Sequence, residues 1–351
     1  MRGNREGKAG QSRAEERPSS DSFVAIRELT IEGIPAVQLE NEWLSVVVLV
    51  GKGADVWELL YKPLGINLLL RTRNGLESLR GRDLRSEPLE HYARPYLGGW
   101  QELLPNRARF GDCEIGQDRE GESACVPWEY ELLREKAGEI ALRCRVSLTG
   151  SPLTAVKKFR LRAGEPELYI EEEIEGIGGE PVQFIWTHHP AFGAPLVEKS
   201  ARIALPPGSR AFQALWADVA PNAAEHLASF EEDVGAVTLY NGRSKDLREA
   251  EESKTDGEDC YVALFGFSEA TAGIDNPLLG IGVRLTWDRE TWPHLRYWSS
   301  NNDEKYTVAL EPTNSRFSNI DDSLRHGEAL KIQPGEKRSA WIRLRVDTLE
   351  D

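Results

Sequence analysis

Two apolar, strand-like runs in this sequence each end in a polar residue, and a proline follows each of these two residues. His189 precedes Pro190, and Glu311 precedes Pro312. A residue before proline is pushed out of the helical region into an extended conformation. We therefore expect each side chain to lie at the end of a strand, where the ladder stops and a loop begins. An imidazole and a carboxylate held in this way could act on one substrate as acid and base.

Adjacent residues of a strand point to opposite faces of a sheet, so His188 and His189 cannot both face one site. A metal site would need a third ligand, and the sequence suggests none near this pair. A structural role is the simpler interpretation of an isolated histidine. Glu311 is harder to explain as a structural residue, because a carboxylate at the end of an apolar run is costly unless it is paired or used.

The segment 97–107 gathers residue types that suit a sugar ligand. It contains two glycines, an indole, two side-chain amides and a guanidinium, at Gly98, Gly99, Trp100, Gln101, Asn106 and Arg107. An indole offers a flat apolar surface to the C–H face of a sugar ring, while amides and a guanidinium can hydrogen bond to hydroxyls. Taken alone, the segment is better explained as a strand-to-loop corner with Trp100 in the core.

The composition bounds the classes of partner. The chain has 351 residues, of which 40% are apolar, enough for a sizeable core. Its 43 basic and 58 acidic side chains give a net charge of −15, which disfavours nucleic acid and anionic membranes as partners. No run approaches the roughly 18 apolar residues of a membrane span. Residues 1–22 lack the apolar stretch of a secretory signal, so we expect a disordered tail and a cytoplasmic protein.

The four cysteines do not have the spacing of a structural zinc site. Cys144 falls on the apolar side of an alternating strand, which predicts a small core residue. Cys113 and Cys125 could be close in space, but the absence of an export signal disfavours a disulfide between them.

The dominant hydrophobic period is two residues, which is typical of half-buried strands. The clearest examples are 140–148 and 340–346, and turns rich in Gly and Pro separate further strand-like runs at 43–50, 154–162, 167–175, 182–187, 201–205, 236–240, 261–267, 281–287, 295–299 and 306–311. We predict an all-β fold, a large sandwich of antiparallel sheets, formed by residues 23–351 as one domain. The stretch 241–259 is interpreted as a long loop, and the acidic runs 171–173 and 231–233 as solvated segments.

Taken together, these segments resemble the aldose 1-epimerase (galactose mutarotase) superfamily over roughly residues 24–347. The matching segments follow the family's order: an opening hairpin at 41–59, an Asn-Arg-x-x-x-Gly turn at 106–111, the motif of the catalytic histidine at 187–192, an aspartate segment at 258–261, a strand pair at 282–298 and a Glu-Pro-x-Thr motif at 310–313. The resemblance implies the galactose mutarotase-like supersandwich as the fold.

The resemblance also implies a reaction, the interconversion of the α and β anomers of a sugar through the open chain. Glu311 would take the proton of the anomeric hydroxyl, and His189 would give one to the ring oxygen. The substrate would be held by hydrogen bonds and ring contacts from Arg107, Gln101, Asp259, His188 and either Trp100 or Trp186. No metal, nucleotide or redox cofactor is needed for this chemistry. The expected partner is a small-molecule sugar, and the oligomeric state is left open.

One departure from the family's pattern concerns the sugar. Members that act on free hexoses carry a second histidine in an Asn-x-x-His-Gly loop, and the corresponding stretch 118–125 has none. Galactose or glucose specificity is therefore in doubt, and the chain resembles a divergent branch. The alternatives are a sugar-phosphate epimerase, for which Arg94 and Arg109 would be extra cations, a non-catalytic carbohydrate-binding domain, and an accessory sandwich of a polysaccharide lyase or hydrolase.

Overall fold

The structure, a computed structural model, describes most of the chain. The described residues are 23–73, 75–80, 96–110, 113–115, 121–136, 138–213, 231–239, 242–254, 257, 259–302 and 305–349. The predicted tail 1–22 lies outside these ranges, as do Arg94 and Glu258.

Within these ranges the chain forms antiparallel strands and one short α-helix, α1, at Ile320–Arg325. In chain order the strands are β1 Val24–Ile31, β2 Ile34–Asn41, β3 Leu44–Leu49, β4 Asp55–Tyr61, β5 Ile66–Asn67, β6 Trp100–Phe110, β7 Cys113–Ile115, β8 Glu129–Lys136, β9 Glu139–Ser147, β10 Leu153–Arg162, β11 Glu167–Gly176, β12 Val182–Gly193, β13 Arg202–Ala204, β14 Arg210–Phe212, β15 Glu231–Asp233, β16 Val237–Thr238, β17 Ser244–Lys245, β18 Asp259–Phe265, β19 Thr271–Asn276, β20 Ile281–Trp287, β21 His294–Asn302, β22 Lys305–Thr313, β23 Leu330–Ile332 and β24 Lys337–Thr348.

Two large sheets contain nearly all of these strands. The larger sheet has the order β1-β2-β3-β4-β6-β12-β22-β21-β18-β14-β15, with β5, β7 and β23 attached to it. The smaller sheet has the order β13-β19-β20-β24-β11-β10-β9-β8, and β16 pairs with β17 alone. The prediction of an all-β fold built from large antiparallel sheets is confirmed.

The main core lies between the two sheets, because alternate residues of each strand turn to the same side. On the smaller sheet Ile140, Leu142 and Cys144 of β9 are fully buried in this core. On the larger sheet Leu295 and Tyr297 of β21 and Val308 and Leu310 of β22 are buried in the same cluster. The side chains at the intervening positions of these larger-sheet strands therefore lie on its opposite face, which we call the outer face.

The sequence prediction for segment 97–107 is corrected by the structure. Residues 100–110 form the eleven-residue strand β6, which lies between β4 and β12 in the larger sheet and is not a loop. Gly98 and Gly99 do form the corner before it, both at positive φ, and a Cβ on Gly98 would come within 2.3 Å of the Leu70 carbonyl oxygen. The Trp100 side chain is in the core, as the alternative interpretation had it.

The prediction that His189 ends a strand is also wrong. β12 continues to Gly193, so His189 lies well inside it. The pairing of β12 with β22 is nevertheless interrupted here, since it runs from Thr187 opposite Thr313 directly to Ala191 opposite Ala309. Proline has no N–H to donate, so a ladder that contains Pro190 and Pro312 is weakened at this place. His189 and Glu311 thus face each other in a local gap between two paired strands.

Cys125, Cys144 and Cys260 are free and buried, and Cys144 is a core residue as predicted. In the described part of the chain, no helix has the length and apolar character required to cross a membrane.

Candidate active site

The five central strands of the larger sheet place one row of side chains on the outer face. Gln101 of β6 is opposite His189 of β12, and Arg296 of β21 is opposite both Glu311 of β22 and Ala263 of β18. Because residues directly opposite each other in a sheet turn to the same face, the five side chains form a continuous line. Four of the five are polar, whereas the core-facing neighbours on β21 and β22, such as Tyr297 and Leu310, are apolar.

His189 and Glu311 are in contact at the centre of this row. The His189 Nε2 and Glu311 Oε1 atoms are 3.2 Å apart, with 15% of the imidazole and 1% of the carboxylate side chain exposed. The contact lacks hydrogen-bond geometry, and Oε1 of Glu311 has no hydrogen-bond partner among the described residues. A buried acceptor of this kind is costly unless a ligand or a solvent molecule satisfies it.

Two aromatic rings hold the imidazole of His189. Its ring centroid is 5.5 Å from that of Tyr96 and 5.7 Å from that of Trp298. The Tyr96 hydroxyl also lies 3.3 Å from Nδ1 of His189, which leaves Nε2 directed at Glu311. Both aromatic side chains are only half-buried, so the cluster is open to a ligand at the ring edges.

Burial shifts the pKa values of the pair in opposite directions. It raises the pKa of Glu311 to about 8, although the positive charge of Arg296 acts against the shift. It lowers the pKa of His189 to about 4, with a further lowering from Arg296 and an opposing effect of the residue's own backbone carbonyl. Burial therefore favours a protonated Glu311 beside a neutral His189.

We expect the free energy of unfolding to fall as the pH rises between about 7 and 8. A carboxyl group whose pKa is raised in the folded state stabilises the fold below its ordinary pKa, and this contribution is lost as the pH rises through the folded value. The buried His188, His189 and His294 have lowered pKa values and act in the opposite sense, but only below about pH 6.5.

The contribution of Glu311 can be isolated by urea unfolding of the wild type and of Glu311→Gln across this pH interval. One proton gives a slope of at most about 1.4 kcal/mol per pH unit. The decline should be shallower in the variant. Equal slopes in the two proteins would contradict the raised pKa of Glu311.

Sequence reasoning missed two further polar side chains of the outer face. Arg296 is 2% exposed, and its Nη1 and Nη2 donate to Asn106 Oδ1 at 3.0 Å and to the Phe317 carbonyl at 2.6 Å. Tyr261 is half-buried and lies close enough to Arg296 and Glu311 for their charges to act on its hydroxyl. The signal was present in the alternation of 294–298, where an arginine takes an outward position between two core residues.

The predicted sugar-binding residues of the outer face lie at different distances from the row. Gln101 belongs to it, and Arg107 is half-buried on the same strand with its Nη1 donating to the Asn106 carbonyl. Asp259 is exposed and lies four residues along β18 from Ala263, which corresponds to roughly 13 Å at ~3.3 Å per residue. Asp259 therefore does not adjoin the His189–Glu311 pair.

Three predicted substrate contacts do not fit the structure. Trp100, Trp186 and His188 turn to the core side of the larger sheet and are at most 2% exposed. The parity of β6 and β12 explains this, because Gln101 and His189 take the outer positions. The indole of Trp100 donates to Nδ1 of His188 at 3.1 Å, and that of Trp186 donates to Oε1 of Glu102 at 2.7 Å.

These side chains belong to a polar cluster inside the core, which we call the buried ionic cluster. It consists of two cross-strand pairs, Glu102 with His188 from the larger sheet and Lys157 with Glu172 from the smaller sheet. The Lys157 Nζ is 2.7 Å from Oε2 of Glu102, and the His188 Nε2 is 3.0 Å from Oε2 of Glu172. Since Nδ1 of His188 accepts from Trp100, Nε2 carries the proton.

The cluster is held at a small net charge. Burial raises the pKa of Glu172 to about 7 and that of Glu102 above its ordinary value, while the two carboxylates raise the pKa of Lys157 against the effect of its burial. Burial lowers the pKa of His188 to about 3 and keeps it neutral.

The interpretation of residues 171–173 as a solvated segment is therefore wrong for Glu172. In sequence, Glu172 shares its parity with Ile170 and Ile174, and Lys157 shares its parity with Ala155 and Phe159. The fold also brings together three potential metal ligands, since one ligand atom each of Glu102, Glu172 and His188 lie within 4.8 Å of one another. The ammonium of Lys157 already supplies the positive charge there, so a divalent cation would have to displace it.

The volume of a cavity does not by itself identify the candidate active site. Among the described residues, a groove of about 450 Å³ lies on the face of the smaller sheet turned away from the core, lined by Arg143, Lys158, Tyr169, Glu171, Trp341 and Arg343. Its cations and rings contact one another, with the Arg343 guanidinium 4.7 Å from the Trp341 ring centroid and 5.2 Å from that of Tyr169. It contains no imidazole–carboxylate pair.

Comparison with known proteins places the chain in a family. The model of the family described as "Domain of unknown function (DUF4432)" matches residues 129–346, which is more than half of the sequence. The chain belongs to the DUF4432 family. The matched part of this DUF4432 protein includes His189, Arg296 and Glu311, whereas Tyr96 and Gln101 precede it. No curated protein matches the sequence.

Solved structures resemble this DUF4432 protein closely in fold and weakly in sequence. A "putative aldose 1-epimerase" from Klebsiella pneumoniae is 14% identical with a TM-score of 0.68, over 92% of this chain and 83% of that one. A galactose mutarotase-like protein from Clostridium acetobutylicum is 12% identical with a TM-score of 0.63, over 93% and 99% of the two chains. The Slr1438 protein from Synechocystis sp. PCC 6803 is 17% identical with a TM-score of 0.63, over 97% and 100%. The resemblance to the aldose 1-epimerase superfamily is thus confirmed at the level of the fold, at low sequence identity.

Proposed function

We propose that this protein is an aldose 1-epimerase-like isomerase that interconverts the α and β anomers of a sugar. The observation that carries the proposal is the contact of His189 Nε2 with Glu311 Oε1 at 3.2 Å, in a gap between two central strands. An imidazole and a carboxyl group so close together can exchange protons with adjacent atoms of one small molecule. The fold shared with mutarotase-like proteins adds support, as an analogy.

Ring opening needs one proton removed and one delivered. The Glu311 carboxylate takes the proton of the anomeric hydroxyl, and the His189 imidazolium gives its Nε2 proton to the ring oxygen. The bond between the anomeric carbon and the ring oxygen breaks, and the carbonyl of the open-chain aldose forms. After rotation about the bond between the first two carbons, the reverse proton transfers close the ring on the other face.

The cycle needs no proton from outside the pair and its substrate, because both protonation states of the pair hold the same two protons. An ionised Glu311 beside a charged His189 is the state before ring opening. A protonated Glu311 beside a neutral His189 is the state after it, and this is the state that burial favours. The ionised state before ring opening is therefore the one that needs stabilisation, and the charge of Arg296 acts in that direction on Glu311.

A sugar would have to enter between the two side chains. Its hydroxyls would satisfy Oε1 of Glu311 and Nε of Arg296, which are buried and have no hydrogen-bond partner among the described residues. The half-buried rings of Tyr96, Trp298 and Tyr261 would offer apolar surface to the ring carbons. Gln101 and Arg107 remain candidates for hydrogen bonds to further hydroxyls.

The test is anomer exchange in solution, measured by magnetisation-transfer NMR on a panel of aldoses that includes neutral, phosphorylated and acidic sugars. Pure anomers also equilibrate in water, so the signal is the excess over the uncatalysed rate. We expect at least one sugar class to exchange faster with protein than without it. Binding without faster exchange would favour the non-catalytic carbohydrate-binding alternative, and neither effect on any sugar would contradict the proposal.

A further inference from the structure

The guanidinium of Arg296 is fixed across the outer face of the larger sheet. It is held by two separate segments, since it donates to Asn106 of β6 and to the carbonyl of Phe317 ahead of α1. Its own strand, β21, places it directly opposite Glu311. A side chain that is 2% exposed and held at both Nη atoms has little freedom to move.

A buried arginine is costly unless it is used or fully paired. The two anchors of Arg296 that accept its Nη protons are a neutral amide and a neutral carbonyl. Its Nε has no hydrogen-bond partner among the described residues. The nearest use for its positive charge is therefore the carboxyl group of Glu311.

The groups that face Glu311 come from the neighbouring strands. They are His189 on β12, Arg296 on β21 and Tyr261 on β18. Arg107 on β6 acts on Tyr261, and His294 on β21 lies near Arg296 and Glu328. Of these, Arg296 is the group whose charge opposes the burial of Glu311.

We propose that Arg296 is a positioning residue that lowers the free-energy cost of ionising the buried Glu311, so that its carboxylate can form and accept a proton. The effect has two parts, because a fixed positive charge stabilises the carboxylate and makes a neighbouring imidazolium a stronger acid. Both parts serve proton transfer from a hydroxyl to Glu311 and from His189 to a ring oxygen. The inference rests on the proposed function for its catalytic meaning, but the electrostatic part can be measured in the protein without any sugar.

The primary experiment is a carboxyl titration of the ligand-free protein. Glutamate labelled with ¹³C at the side-chain carboxyl gives a resonance for Glu311, which is assigned by its loss in Glu311→Gln. In Arg296→Gln we expect the pKa of Glu311 to rise by about one unit or more, since an arginine beside a carboxylate lowers its pKa by about 1–3 units. Arg296→Lys should keep most of the wild-type pKa, because it keeps the charge.

Arg316→Gln is the matched control. Arg316 is a neighbouring, half-buried guanidinium, but it pairs with Glu328, with its Nη2 2.7 Å from Oε1 of that carboxylate. Its removal should leave the pKa of Glu311 unchanged. If Arg296→Gln does not fold, Asn106→Asp keeps the size of the anchor and places a carboxylate beside the guanidinium that offsets its charge, so it should also raise the pKa of Glu311. The proposal would be overturned if the pKa of Glu311 did not change in Arg296→Gln, or in Asn106→Asp where Arg296→Gln does not fold. It would also be overturned if the pKa of Glu311 rose equally in Arg316→Gln.

Kinetics then separate positioning from a purely structural role. With a sugar that the wild type turns over, Arg296→Gln should lower kcat at pH 7 by about tenfold for each unit of pKa rise, with little change in KM. The acid limb of its pH profile should move upward by the same amount as the titrated pKa. If no sugar is turned over by the wild type, the proposed function fails while the titration result stands.

Discussion

Replacement of Glu311 by glutamine should slow enzymatic anomer exchange by about 10²–10⁴-fold, because a positioned proton carrier contributes about this factor. The amide has nearly the same size and shape but cannot take a proton from the anomeric hydroxyl. Glu311 is buried, yet its Oε1 has no hydrogen-bond partner among the described residues, so an amide can occupy the same space. Sugar binding, measured by calorimetry or by ligand-observed NMR, should change little.

Glu172→Gln is a suitable control for this experiment. Glu172 is also a fully buried glutamate whose pKa is raised by burial, but it lies in the buried ionic cluster on the other side of the larger sheet. Its replacement should affect stability and leave the exchange rate of the folded protein within about threefold of the wild type. Wild-type exchange in Glu311→Gln would remove Glu311 from the reaction, and equal losses in both variants would indicate a general effect of disturbed packing.

The largest stability effect is expected at Lys157, in the centre of the buried ionic cluster. Lys157→Met should lower the free energy of unfolding by about 3–5 kcal/mol, because removal of one partner leaves buried charges without compensation. Glu102 loses the ammonium 2.7 Å from its Oε2, and both carboxylates lose the charge that keeps their pKa values down. The methionine itself fits, since the Lys157 Nζ lies 5.0 Å from the ring centroid of Trp128 and 5.7 Å from that of Phe159, and a thioether makes favourable contacts with aromatic rings.

Urea unfolding at two pH values distinguishes this cause from a loss of packing. Without Lys157, Glu102 and Glu172 can become neutral by protonation, so the loss should be smaller at about pH 5 than at about pH 8. Lys158→Met is the matched control, because the next residue of β10 turns to the opposite face of the smaller sheet and is only half-buried. It should change stability by less than about 1 kcal/mol. A loss at Lys157 that does not depend on pH would contradict the electrostatic explanation.

The buried ionic cluster and the candidate site share the strands β6 and β12. Glu102 and His188 on the core side alternate with Gln101 and His189 on the outer side. The cluster connects the two sheets directly behind the site, where a polar group in the core needs specific partners. It therefore fixes the position of the strand that carries His189, although none of its members reaches the outer face.

The sequence by itself determined the strand content and the identity of the central pair. The two-residue period of segments such as 140–148 and 340–346 depends only on local alternation, so the all-β fold could be predicted without any tertiary information. The position of His189 and Glu311 before prolines identified them as candidate catalytic residues. The motifs around them occur in the same order along the chain as in the family that the sequence resembles. The prolines do open the ladder there, although the strands continue beyond them.

The tertiary structure alone decided which side of the sheet each polar residue faces and what meets it there. The sequence shows which residues of one strand share a face. Whether the even-numbered or the odd-numbered residues turn to the core depends on which face the second sheet covers. Trp100, Trp186 and His188 were for this reason assigned to the wrong face. Arg296, Asn106 and Tyr261 come from three strands distant in sequence, and only the pairing of β6, β12, β22, β21 and β18 brings them to one carboxylate. Such long-range contacts leave no local pattern, because each residue is polar on an otherwise ordinary strand.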